Sequence, residues 1–301
     1  MAITEVKRGD LTMIEKLTNA QRAKVLIEAL PYIQRYNNKI VVIKYGGNAM
    51  VSEELKLDVM GDIVLLSLIG IRVVLVHGGG PEISEVLNAM NMESHFIDGL
   101  RVTDKKTAEV VQMVLSGKIS KNLVSLIGNL GGKAISLSGM DGHMIEAKVL
   151  SEDLGYVGEI TNINPNPILD ILDKGYIPVI SSIGYDQEAN SYNINADTAA
   201  SRIAGMLKAE SLILMTDAPG LLRNKDDPQS LIPVVNVSEA PQLVREGIIS
   251  GGMIPKVECC TDAIRRGVKK VFIIDGRVPH SILIETLTDE GIGTMFLKGD
   301  N

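Results

Sequence analysis

Six short runs rich in β-branched residues recur along the chain: KIVVIK, RVVLVH, KAISLS, YIPVIS, SLILMT and KVFIID. Each is closed by glycine and followed by a stretch of helical period, the alternation that marks parallel α/β architecture. Between the first two runs, Leu55, Val59, Ile63, Leu66 and Ile69 recur at spacings of three and four, with Ser52 placed as N-cap, Glu53 and Glu54 in the first turn and Gly70 as terminator. This predicts a crossover helix. The stretch from Asp141 to Asn164 differs: HMIEAKVL and GYVGEITNI read as shorter strands in a hairpin-like excursion, expected to form a rim or lid. Parallel strands with right-handed crossovers leave their carboxyl ends on one edge, so strand-end residues are the first place to look for chemistry.

Ahead of the first strand, Thr18 and Gln21 fit a capping box opening an amphipathic helix, with Ala23, Leu26, Ile27, Leu30 and Ile33 on one face and Pro31 expected to kink it. An apolar face in that position is either a packing surface or an oligomerisation arm.

Composition narrows the class. With 301 residues, 45% hydrophobic, the chain can bury a large core without staples. Its two cysteines, Cys259 and Cys260, are neighbours on a helical segment, where a bridge would be badly strained. A reduced cytoplasmic setting is expected. No run reaches the roughly 20 residues of a membrane span, and the first residues lack a signal-peptide core. A net charge of -7, no Trp and three Phe argue against general nucleic-acid binding. Small-molecule chemistry is the default.

Two strands end in glycine turns. KIVVIK runs into Tyr45-Gly46-Gly47, and RVVLV into His77-Gly78-Gly79-Gly80-Pro81, with Pro81 suited to a first helical turn. N–H groups at such a turn can face an anion with the helix dipole behind them, although a glycine turn is as often only a tight connection. Neither loop is a Walker A sequence, and Ile83 stands where G-x-G-x-x-G needs its third glycine, which removes the main support for nicotinamide chemistry. Asn193-Ile194-Asn195-Ala196-Asp197 opens a later helix, and Lys256 follows Gly251 and Gly252 at another helix start. Alone, Asp197 reads as a helix cap and either Lys44 or Lys256 as a solvated charge. His77, His95, His143 and His280 show no zinc-ligand spacing, and no metal site made of protein ligands is expected.

Taken together, KYGGNAM, HGGGP, GLRVT, NINADTAA, TDAPGLL and GGMIPK resemble the motif set of the N-acetylglutamate kinases, within the amino-acid kinase superfamily, over about Lys39 to Phe296. The resemblance implies a three-layer αβα sandwich around a mainly parallel open sheet. It also implies an arm over 1–38, an N-lobe for the acyl substrate and dimerisation over 39–183, and a nucleotide-binding C-lobe over 184–301. By the same resemblance, Lys44 and Lys256 would flank the transferring phosphoryl group with Asp197 holding both, and Gly46 and Gly47 would contact phosphate. Gly79, Gly80, Arg101 and Asn193 would hold the acyl substrate. Such a reaction is governed by positioning and electrostatics. The attacking carboxylate, pKa about 4.3, is ionised at neutral pH and requires no general base.

The resemblance further places ATP against Thr216, Asp217, Gly220, Leu221, Leu222, Ile248, Ile249 and Ser250, with Mg²⁺ arriving on the nucleotide phosphates. The N-terminal helix and the tail GRVPHSILIETLTDEGIGTMF are similar to those of arginine-inhibited hexameric members, with Glu285, Gly291 and Gly293 at the positions that line the arginine pocket. GYIPVISS and GGMIPKVECC are similar to relatives that bind the nitrogen-signalling protein PII, which is thereby a candidate partner.

Overall fold

The computed structural model describes residues 18–50 and 52–299. The opening of the expected arm, residues 1–17, lies outside the described residues. All six apolar runs form strands of one eight-stranded sheet: β1 (Ile40–Tyr45), β2 (Arg72–His77), β5 (Ala134–Ser138), β8 (Ile177–Ser181), β11 (Ser211–Thr216) and β13 (Lys270–Asp275). Two further strands, β12 (Val234–Asn236) and β14 (Thr294–Leu297), complete the order β12-β14-β13-β11-β1-β2-β8-β5. Every pairing in it is parallel except β13 with β14.

Strand alternation divides the interior into two cores. Val42, Val74, Val76, Leu212, Leu214, Val271 and Ile273 face one side of the sheet, while Val41, Ile43, Val73, Leu75, Ile213, Met215 and Phe272 face the other. On the second face lie α3 (Glu53–Leu68), α5 (Lys105–Gln112) and α6 (Ser120–Asn129). On the first lie α7 (Asn166–Asp173), α8 (Ala196–Met206) and α10 (Met253–Arg265). The result is the expected three-layer sandwich.

The helix at Ser52 forms as read, with the Ser52 side chain accepting the Leu55 N–H and Gly70 following at φ +93°. The excursion after Asp141 contributes β6 (Ile145–Val149) and β7 (Gly158–Ile163), antiparallel partners in a second, four-stranded sheet with β9 (Ile183–Tyr185) and β10 (Ser191–Asn193). The division between residues 183 and 184 falls inside β9, so the chain passes from one half to the other within a paired strand.

At the N-terminal end, Thr18 and Gln21 make both halves of the capping box. Pro31 separates α1 (Asn19–Glu28) from α2 (Leu30–Tyr36), breaking the single kinked helix into two at Ala29. Among the described residues α1 buries none of its side chains, and Leu26 is 74% exposed. Packing onto the chain's own core, the blander of the two readings of that apolar face, is therefore incorrect for α1.

Candidate active site

The alternation along β1 decides where Lys44 goes. Val41, Ile43 and Tyr45 point into the core under α3, so Lys44, in register with Val42, emerges on the α8 side at the strand's carboxyl end. There α8 begins. Its N-cap is Asn195, whose side chain accepts the N–H groups of Asp197 and Thr198, which frees the Asp197 carboxylate from capping. The helix-cap reading of Asp197 is thus replaced by an electrostatic one. Lys44 Nζ lies 2.9 Å from Oδ1, and Lys256 Nζ, from the first turns of α10, donates to Oδ2 at 2.7 Å. Burial works to raise the Asp197 pKa, but the two ammonium groups outweigh it and hold the carboxyl down at about 2.

Around this centre the glycine turns close in. The Gly78 N–H donates to the Tyr45 carbonyl and ties the two loops together. A Cβ on Gly46 would stand 3.1 Å from Lys44 Nζ, pressing on the ammonium. On Gly79 it would fall 2.1 Å from Ile119 Cδ1 and 2.8 Å from Leu115 Cδ2, so the ends of both side chains would have to shift. Gly47 takes φ +70°. Helix α4 (Gly80–Ala89) starts immediately after, with Pro81 in its first turn as expected.

One cleft of about 240 Å³ gathers Lys44, Gly46, Gly47, Gly79, Gly80, Arg101, Asn193 and Asp197, while Lys256 is outside its lining and is joined to it through Asp197. Arg101, at the end of the short strand β4 (Leu100–Arg101), is 6% exposed and donates to Ser94 Oγ, Ser84 Oγ and the Gly80 carbonyl. The Phe96 ring lies 4.8 Å from its guanidinium carbon. Burial lowers its pKa. Asn193 ends β10 and donates to Thr103 Oγ1.

The other expected cluster divides. Asp217, Gly220, Leu221, Leu222, Ile248 and Ser250 line a second cleft of about 290 Å³. Thr216 and Ile249 are not in that wall; both are buried, Thr216 as the last residue of β11 and Ile249 in the core. Met253 and Lys225 line the cleft in addition. Helix α10 connects the two clefts, since Ser250 and Met253 at its start line one and Lys256 pairs with Asp197 in the wall of the other.

Glu285, Gly291 and Gly293 also come together. One Glu285 carboxylate oxygen accepts the N–H groups of Ile292 and Gly293, and a Cβ on Gly291 would stand 3.3 Å from the other. Gly293 has a packing reason of its own, because a Cβ there would fall 2.1 Å from the Ile273 carbonyl.

Several contributors carried no legible signal. Ser84 and Ser94 hold Arg101, which the fold brings to them, and Phe96 both stacks near Arg101 and lines the cleft. Leu115 and Ile119 sit in a π-helical segment, Met113–Ile119, inserted between α5 and α6, and nothing in MVLSGKI announces that winding.

The family model described as "Amino acid kinase family" matches residues 39–275. The acetylglutamate kinase of Clostridium beijerinckii is 56% identical over 282 residues, covering 93% of this chain and 99% of that one. The acetylglutamate kinase of Brachyspira hyodysenteriae is 54% identical over 287 residues, 95% of this chain and 100% of that one. Among solved structures, the N-acetylglutamate synthase from Neisseria gonorrhoeae, complexed with coenzyme A and N-acetyl-glutamate, superposes with TM-score 0.82 at 25% identity. The superposition covers 93% of this chain but 64% of the synthase, so this chain spans about two thirds of that protein. Carbamate kinase from Giardia lamblia bound to AMP-PNP shares the fold, with TM-score 0.65 at 18% identity over 87% of this chain and 99% of that one. With the family match spanning most of the fold and relatives above half identity along nearly their whole length, this chain belongs to the amino acid kinase family, on its acetylglutamate kinase branch.

Proposed function

We propose that the Lys44–Asp197–Lys256 constellation is the phosphoryl-transfer centre of this chain. The chain is an ATP-dependent kinase that phosphorylates N-acetyl-L-glutamate on its γ-carboxylate, yielding N-acetyl-L-glutamyl 5-phosphate and ADP in arginine biosynthesis. The observation that carries the assignment is a single buried carboxylate bridging two lysines at the mouth of the glycine cradle. As the phosphoryl group passes between two anionic oxygens, charge spreads over its equatorial oxygens. Lys44 and Lys256 approach that position from different elements, and Asp197 holds both side chains in place before substrate arrives. The Gly79 and Gly80 N–H groups face the same space. Arg101 is assigned to the α-carboxylate of the acyl substrate, with Asn193 beside it.

ATP is assigned to the cleft lined by Gly220, Leu221, Leu222, Ile248 and Ser250, because α10 joins it to Lys256. Mg²⁺ is assigned to the nucleotide. Among the described residues, no three His, Cys, Asp or Glu side chains gather as a cage, and the carboxylate lining the acyl cleft, Asp197, is taken by two lysines. Mg²⁺ carried by the nucleotide would fit those surroundings and would supply charge neutralisation on the phosphates.

Three further readings rest on narrower support. Arginine inhibition through Glu285, Gly291 and Gly293 is supported by their gathering around one carboxylate; unchanged activity at millimolar arginine would remove it. Assembly through α1 as a hexamer is supported by its exposed apolar face; a monomeric mass in solution scattering would remove it. A PII partner rests on the motif resemblance, and a flat titration would remove it. Among the described residues no helix is long and apolar enough to cross a membrane.

The primary test is ADP release with Mg-ATP and N-acetyl-L-glutamate, alongside glutamate, aspartate and carbamate. Activity on the acetylated acid, falling about 10²- to 10³-fold in Lys256→Ala, is expected. Activity of Lys256→Ala equal to the parent would overturn the assignment of the centre.

A further inference from the structure

His77 closes β2 and is fully buried, and it does not itself line the acyl cleft. Its Nδ1 lies 2.9 Å from the Gly78 carbonyl and its Nε2 lies 2.7 Å from Ser120 Oγ. A carbonyl only accepts, so Nδ1 carries the proton and donates. Burial pushes the imidazole pKa down to about 4, so the ring is neutral at physiological pH, and Nε2 accepts from the Ser120 hydroxyl. Both ring nitrogens are thereby satisfied and the tautomer is set. Ser120 is the first residue of α6, immediately after the π-helical segment whose Leu115 and Ile119 lie against Gly79.

The Gly78–Gly79 peptide is trans, as are all peptides among the described residues, so its carbonyl and N–H point in opposite directions. His77 holds the carbonyl toward the buried side. The Gly79 N–H is then turned to the other side, where Gly79 lines the cleft beside Lys44. Among the described residues neither the Gly79 nor the Gly80 N–H finds an acceptor. The Gly78 N–H is held by the Tyr45 carbonyl and the Gly79 carbonyl by the Ile83 N–H, but with glycine at 78 and 79 no side chain restrains rotation of the peptide between them.

We propose that His77, fixed by Ser120, is a positioning residue that orients the Gly78–Gly79 peptide so that its N–H meets the charge developing on the transferred phosphoryl oxygens. The inference rests on the proposed phosphoryl-transfer centre at Lys44, Asp197 and Lys256, and takes the Gly79–Gly80 turn, expected to hold the acyl substrate, to reach the phosphoryl group as well because it lines the same cleft as Lys44 and Asp197. An unrestrained peptide would still bind ground-state ligands through Lys44 and Arg101, but its donor would have to be organised during the reaction.

The test compares His77→Leu, which removes both hydrogen bonds, with His77→Asn, whose amide N–H can stand near the Nδ1 position, and with Ser120→Ala, which leaves the imidazole in place. In His77→Leu, kcat should fall about 10- to 100-fold while KM for ATP and for N-acetyl-L-glutamate stays within about threefold. His77→Asn should recover most of that loss, and Ser120→Ala should lose less than His77→Leu. Affinity for ADP with aluminium fluoride and N-acetyl-L-glutamate should fall with kcat, while affinity for ADP alone stays unchanged. Full kcat in a folded His77→Leu, equal losses in kcat and in ADP affinity, or no recovery by His77→Asn would each overturn the proposal. Should His77→Leu fail to fold, parental kcat in Ser120→Ala together with weakened ADP–aluminium fluoride binding in neither remaining variant would overturn it. Wild-type inactivity on N-acetyl-L-glutamate would instead strike the functional reading on which it rests.

Discussion

Asp197 and Asp62 are both buried aspartates at the ends of cationic partners, and they titrate in opposite directions. Asp197 meets two lysines, and its carboxyl is held down at about 2 although burial opposes this. Asp62, on the inner face of α3, is 1% exposed and meets one imidazole, His280 Nδ1 at 2.7 Å, while its Oδ2 has no hydrogen-bond partner. There burial wins over the His280 contact and pushes the carboxyl up to about 6. Burial alone does not set the protonation state; the count of compensating charges does. Two cations make a permanently ionised anchor suited to holding lysines. One imidazole makes a carboxyl that exchanges its proton near neutrality, where α11 (Ser281–Leu287) packs against α3.

The comparison breaks most sharply at Asp197. Asp197→Asn removes the charge that holds both lysines, and kcat should fall by at least about 10²-fold in steady-state assays. Its stability linkage has a definite sign. Because the folded-state pKa is depressed, the carboxylate stabilises the fold above about pH 4, and that contribution is lost as pH falls from there through about 2.

For Asp62 the sign reverses. Its folded-state pKa is raised, so its contribution is full below about pH 4 and lost as pH rises through about 6. Asp62→Asn should therefore gain stability relative to the parent, on the order of 2 kcal/mol, between pH 4 and 7 in paired denaturant titrations. A difference that stays constant across that range would show that the carboxyl titrates normally.

Arg101 sharpens the contrast with a buried cation whose partners are neutral. Arg101→Lys keeps the charge but loses the fork that reaches Ser94, Ser84 and Gly80. KM for the acyl substrate should rise about tenfold with a smaller change in kcat, as expected for a hydrogen bond to a charged group worth about 1.5–3 kcal/mol. The smallest effect is a control on the helix that carries Asp62. Ser52→Ala removes the cap of α3 and should cost about 1 kcal/mol at every pH with activity unchanged.

Much of the site was legible because strand ends are legible. Lys44 follows directly from β1, and the glycine turns follow from where strand period gives way to helix period. Asp62 was hidden. It sits at helical spacing with Val59, Ile63 and Leu66, so its place on the inner face was in the pattern, but a lone acid there has no sequence sign of its partner 218 positions away. The division of the nucleotide cluster had a similar cause: Thr216 and Ile249 belong to motifs whose neighbours face the cleft, and only strand parity and loop path turn these two inward.

The sequence by itself determined the parallel α/β class, the crossover after Ser52, the capping box at Thr18 and the family, because each depends on local spacing or on contiguous motifs. Tertiary structure alone decided that Asn195 caps α8 while Asp197 pairs with Lys44 and Lys256, that α1 stands off its own core, and that His77 and Ser120 meet across the π-helical segment. Those outcomes depend on which distant groups arrive beside a buried polar atom. Such arrivals are set by strand order and helix winding, which local periodicity does not encode.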